Sequence, residues 1–187
     1  TAPNATSAVG ARVFSVEIKG TMPTFSSPSV TNTTTTNIST TAADFAGNVT
    51  ATGGSDITAN GTVYSVKATN ANPQIGGSGV TNLATSSPGA GTGTFSNPSG
   101  AVLSPNLQYS YNAYATNTTG TGYGTVADFW TLGNVPSAIS LSGAQVSSLS
   151  VSLNTTDGNP ATTEYAIQET TTGNYVQNDG TLGATAS

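Results

Sequence analysis

The sequence predicts an all-β protein built on a sandwich, and three observations carry that expectation. Thr, Ser, Asn and Gly dominate, and the 22 Gly and nine Pro recur every few residues, so hardly any window of a dozen residues can hold an amphipathic helical stripe. The apolar residues make up 35% of the chain and include five Phe, seven Tyr and one Trp. They fall in short alternating runs, the pattern of pleated, half-buried strands. Turn clusters such as Gly53-Gly54, Asn72-Pro73, Gly76-Gly77 and Pro88-Gly89 separate those runs. This spacing suits antiparallel sheets, whereas a parallel sheet needs helical crossovers.

Taken in order, RVFSVEIK (12–19) places Phe14, Val16 and Ile18 on one face and Val13, Ser15, Glu17 and Lys19 on the other. Further strands are expected at 43–52, 61–69, 92–96, 107–116 and 124–132. Within 107–116, Tyr109, Tyr111, Ala113 and Ala115 share the inward face; 117–122 forms the hairpin, and Phe129 re-enters the core. Tyr114 and Trp130 have the opposite parity. They are expected either to face outward, where aromatic rings stack on sugars or a neighbouring subunit, or to pack under a loop or domain junction.

Residues 103–124, LSPNLQYSYNAYATNTTGTGYG, contain Leu103-x-Pro105-x-x-x-Tyr109. That spacing opens a penultimate sandwich strand whose tyrosine turns its ring inward and returns its hydroxyl to nearby backbone. With NVTATGGSDITANGTVYS (48–65) and YATNTTGTGYG (114–124), residues 28–133 resemble fibronectin type III domains, especially the repeat of large bacterial surface proteins. The resemblance implies an immunoglobulin-like sandwich of seven strands and an extracellular setting. Residues 135–180 resemble the first half of another such domain, with Leu149, Val151 and Leu153 inward and an Asp157-Gly158-Asn159-Pro160 turn leading to a strand bearing Tyr165 and Ile167. The expected layout is an N-terminal strand and linker (1–27), a complete sandwich (28–133) and an incomplete one (134–187).

Half a sandwich exposes an apolar face and unpaired strand edges, so something outside it must complete it. Residues 12–19 pose the converse problem, a strand without a partner. Two arrangements suit it: the tail of an earlier domain or an edge addition to its neighbour, or insertion of Phe14, Val16 and Ile18 into the incomplete domain of another copy.

Composition excludes several functions. Charged residues are 6% of the chain, and three basic ones (Arg12, Lys19, Lys67) against eight acidic leave a net charge of −5, with no basic patch to neutralise phosphates. Without Cys or His there is no disulfide, thiolate, imidazole base or ordinary zinc site. No apolar stretch approaches the roughly 20 residues of a membrane span, and no signal segment opens the chain. The expectation is a soluble, processed or excised extracellular piece without membrane insertion.

Neither cofactor nor metal is expected, because Asp56, Asp157 and Asp179 lack the dense acidic spacing of a calcium cage. Asp157, Glu164, Glu169 and Asp179 offer the acid–base chemistry of a glycosidase, which needs one carboxyl with a raised pKa beside a cleft. All four sit in polar, turn-like stretches. Lys19 or Lys67 could form an isopeptide link with Asn if buried beside a carboxyl, but Lys67 at a strand end is expected in solvent. Sequons occur at Asn4, Asn32, Asn37, Asn48, Asn60, Asn117 and Asn154, as a Thr/Asn-rich chain also generates by chance; Asn32 and Asn37 are the leading glycan acceptors. The functional expectation is a non-enzymatic structural or adhesive module of a surface protein or filament, joining copies of itself or adjacent repeats, with glycans as further partners. The alternative is a carbohydrate-binding or spacer module accessory to a secreted enzyme.

Overall fold

The computed structural model describes residues 20, 23–100, 102–145, 149–153 and 156–186. The expected strand at 12–19, with Phe14, Val16 and Ile18, lies outside the described residues. All regular structure among those described is β. β1 (Ser29–Asn32), β2 (Asp44–Ala51) and β5 (Gly93–Pro98) form one antiparallel sheet in the order β1-β2-β5. β3 (Ala59–Val66), β4 (Thr81–Ala84) and β6 (Gln108–Thr116) begin the other, in the order β4-β3-β6. The far edge of β6 is shared by β7 (Thr121–Tyr123), which pairs with Tyr114 to Thr116, and β8 (Ala127–Trp130), which pairs with Gln108 to Tyr111. Seven strand positions therefore face each other three against four, the last one interrupted at 124–126.

Burial alternates along β2 and β5, while the central strands β3 and β6 are buried on both faces. Phe45, Tyr64, Tyr109, Tyr111, Leu103 and Phe129 form one core cluster, and Val30, Val49, Ile57, Phe95, Ala113 and Ala115 the other. Phe45 is fully buried and lies 5.2 Å from the Tyr64 ring and 5.4 Å from Phe129. The expected tyrosine corner is present: the Ser104 N–H donates to the Tyr109 hydroxyl at 2.9 Å. Gly47 admits this packing, since a Cβ there would come within 2.5 Å of Phe95 and 2.6 Å of Ala113.

Sheet order and pairing define two poles. At one, Ser26 bonds to Gly53 through its N–H (2.9 Å), and Asn117 donates through Nδ2 to the carbonyls of Ser26 (2.7 Å) and Thr52 (2.8 Å). At the other, the Leu132 N–H reaches Ser39 and the Asn106 N–H reaches Leu132, both at 3.0 Å. The nine-residue β6 separates them by about 27 Å. The hairpin expected over 117–122 is shorter: Asn117 closes a turn by accepting from Thr119 and Gly120, and β7 starts at Thr121.

Beyond this sandwich, β9 (Ser140–Ser142) pairs with β10 (Ser150–Ser152), and β11 (Tyr175–Val176) pairs with β12 (Leu182–Gly183). The inward placement expected for Leu149, Val151 and Leu153 is corrected. Leu149 and Leu153 are exposed and Val151 is half-buried, because these small sheets have no opposing layer among the described residues. Tyr165 and Ile167 lie outside any strand.

Candidate functional site at the junction of the two units

Thr131 ends the first sandwich as a buried side chain, accepting from the Leu107 N–H at 3.0 Å and donating to the Ser104 carbonyl at 2.6 Å. Three residues on, Asn134 is clasped by the second unit. Its N–H donates to Asn159 Oδ1 (2.7 Å), its Nδ2 to the Asp157 carbonyl (2.8 Å), and its own carbonyl accepts from Asn159 Nδ2 (3.0 Å). Asn106, from the loop before β6, donates to the Thr163 hydroxyl at 2.7 Å. The clasp depends on the turn at Asp157-Gly158-Asn159, where Gly158 adopts φ +80°, a conformation that glycine reaches without steric cost. Hydrogen-bonded backbone and amides thus hold the linker from both sides.

Of the four candidate carboxylates, Asp157, Glu169 and Asp179 accept hydrogen bonds within turns, and Glu164 is exposed. Asp157 accepts from the Asn159 N–H (3.0 Å) and the Tyr165 hydroxyl (2.7 Å). The Asn159 N–H, then the Tyr165 hydroxyl, hold its pKa below the ordinary value. Asp179 is held low in the same way by the Thr181 hydroxyl and N–H. Glu169 accepts from the Thr172 hydroxyl (2.7 Å) and the backbone of Thr171 (2.6 Å) and Thr172 (2.8 Å), which lowers its pKa from 4.5 to about 2. Donors stabilise the ionised form, so these groups are poised as anions, the opposite of a general acid.

A depressed folded pKa contributes stability that is complete above the unfolded value and is lost as pH falls through the folded one. The Glu169 turn is therefore expected to stay closed above pH 4.5 and to open as the pH falls through about 2. Following the Glu169 carboxyl carbon by NMR should give a midpoint near 2; one near 4.5 would remove the turn's electrostatic role.

The other singled-out residues fall as follows. Trp130 is 56% exposed on β8. Tyr114 is corrected as a surface aromatic: it is 2% exposed. Residues 67–80 cross the outer face of its sheet, with Pro73 buried and the Ile75 N–H on the Tyr123 hydroxyl at 3.1 Å. Under them Tyr114 lies over Gly61, where a Cβ would meet its hydroxyl at 2.9 Å, with its ring 6.3 Å from Tyr123. Burial pushes the Tyr114 hydroxyl pKa up, partly offset by a bond to Asn82.

Asn32 is also corrected as an open glycan acceptor. Its Nδ2 donates to the carbonyls of Thr125 (2.6 Å) and Tyr111 (3.3 Å), and its Oδ1 accepts from the Ala113 N–H at 2.7 Å. The side chain of a β1 residue thus plugs the break between β7 and β8 in the opposite sheet. Asn37 is exposed, with Nδ2 on Asp44 at 2.6 Å. Lys67 is paired rather than free, 2.6 Å from Asp128; Lys67 first and the Ser110 hydroxyl second hold the Asp128 pKa low.

Sequence reasoning missed both the Asn32 plug and the Asn134–Asn159 clasp. The DGNP turn signal pointed toward the second of these, but nothing local marks the first.

No family model matches the chain, and no curated protein does. Similar solved structures include two of the sensor domain of the anti-sigma factor RsgI4 from Pseudobacteroides cellulosolvens. The short form is 16% identical and covers 58% of this chain and 97% of its own, with a TM-score of 0.41. The long form is 16% identical and covers 60% and 97%, also at 0.41. A solution structure of that sensor domain is 15% identical and covers 57% and 76%, at 0.38. At this level of similarity the likeness carries no inference about function.

Proposed function

We propose that this chain is a non-enzymatic extracellular module of a surface protein or filament, a fibronectin type III-like unit that spaces and joins successive repeats. The observation that carries the reading is the junction: Thr131, Leu132 and Asn134 are hydrogen-bonded to the first sandwich or the second unit at nearly every step. A linker held this way transmits orientation from one unit to the next, whereas an unbonded polar linker lets domains move independently. The three-against-four strand arrangement and the Tyr109 corner support the family reading. Carboxylates held as anions by turn donors support a structural rather than catalytic role. The neutral hydroxyl and amide surface suits an extracellular setting.

Residual dipolar couplings on the full chain test the reading. Amides of 29–130 and 156–176 should fit one alignment tensor, and Asn159→Ala should split them into two while leaving the shifts of the first sandwich in place. Independent tensors in the unaltered chain would overturn the spacer role.

A further inference from the structure

The ribbon of β9 and β10 is sorted by chemistry. Ser140 faces Ser152 and Ser142 faces Ser150, while Leu141 faces Val151. Since side chains alternate along a strand, Leu141 and Val151 share a face with the flanking Ile139, Leu149 and Leu153. Four of these five are left largely in water: Ile139 is 43% exposed, Leu141 58%, Leu149 51% and Leu153 41%. A two-stranded ribbon is marginal by itself, and a contiguous apolar face of this kind marks an interaction surface.

We propose that this face is a strand-docking surface, and that its occupant is residues 12–19 of a second copy of this chain. The inference rests on the joining role proposed above. In RVFSVEIK, Phe14, Val16 and Ile18 alternate with Val13, Ser15, Glu17 and Lys19, so as a strand it would cover the leucines with the first set and leave Glu17 and Lys19 in water. Backbone pairing along the ribbon supplies affinity, and the apolar alternation supplies register.

Reach selects a second copy over the same one. The arm leaves the sandwich at the Ser26–Gly53 pole, and the second unit is attached at the Leu132–Ser39 pole, about 27 Å away along β6. A fully extended chain from Ser26 back to Val16 spans at most about 35 Å. It would have to run straight down the sandwich and still cross the linker to meet the ribbon. The next molecule in a head-to-tail row needs no such track. The contact is heterologous, so it propagates into an open row unless its rotation closes a ring.

Sedimentation velocity tests this with two variants that each keep one half of the contact. Full-length chains should form a series of oligomers that lengthens with concentration. Deletion of residues 1–20, or Val151→Asp, should leave monomers. Mixed together, the deletion protein supplies the face and Val151→Asp supplies the arm, so the mixture should give a 1:1 dimer and nothing longer. A second measurement covers the case in which Val151→Asp unfolds its ribbon. Synthetic RVFSVEIK added to the deletion protein should slow amide exchange over 139–145 and 149–153, and a peptide carrying Phe14→Ser, Val16→Ser and Ile18→Ser should not. Oligomers undiminished by the deletion, a full chain that stays monomeric, or a peptide without effect on exchange would each overturn the proposal. The dipolar-coupling test of the spacer role can be run on the deletion protein, so the two readings fail separately.

Discussion

Tyr109→Ala is expected to lower the unfolding free energy of the first sandwich by about 3–5 kcal/mol, the range for large aromatic truncations in cores. Its ring is 4% exposed, stacked 5.7 Å from Phe129 and set edge-on to Tyr64 at 6.1 Å. Truncation therefore leaves a hole among aromatics that cannot all move inward, because Phe129 and Tyr64 are fixed on different strands. Tyr109→Phe keeps the ring and removes only the acceptor for the Ser104 N–H, so about 1 kcal/mol is expected. Urea denaturation of both variants separates the packing contribution from that of the corner bond. An unchanged midpoint for the alanine variant would refute the assignment of this core.

The second large effect lies at the plug. Asn32→Ala leaves the Ala113 N–H and the Thr125 carbonyl without their partner. Orphaning the N–H of fully buried Ala113 costs about 1–3 kcal/mol, whereas water reaches the exposed Thr125 carbonyl, so a loss of about 1–3 kcal/mol in all is expected. Gly124→Ala attacks the same place from the other side: its Cβ would lie 2.5 Å from Asn32 Oδ1 and 3.0 Å from the Asn32 backbone nitrogen, and about 1–3 kcal/mol is expected for that overpacking. In the double variant the clash with Oδ1 is gone, so its cost should fall short of the sum. Strict additivity would mean that Asn32 and Gly124 do not share one site.

What was legible in the sequence follows from how local its cause is. Strand alternation around Tyr109 and Phe129 and the Leu103-x-Pro105-x-x-x-Tyr109 spacing act within a few residues, and the core and corner emerged where expected. β1 and β4, SVTN and TNLA, are short and polar, and they are strands because β2 and β3 offer them an edge. Parity placed Tyr114 on the outer face correctly, but exposure does not follow from parity when a remote loop covers that face. The plug was illegible for the same reason, since Asn32 meets partners 81 and 93 positions away. In the second unit the sequence sorted Leu149, Val151 and Leu153 onto one face; what lies over that face is not written in their own neighbourhood.

The two poles of the first sandwich have a mechanical consequence. Tension along the chain enters at Ser26 and leaves past Thr131, at opposite ends of the first sandwich. The first strand and the last are then pulled in opposite directions along their own lengths, so the ladders of β1 with β2 and of β8 with β6 are loaded in shear, many bonds at once, rather than peeled open one by one. Asn32 ties the first strand directly to the backbone beside the last, so a load cannot slide one sheet past the other without breaking that tie. In the row of units proposed above, tension would load both ladders in shear, with the Asn32 tie strained alongside them.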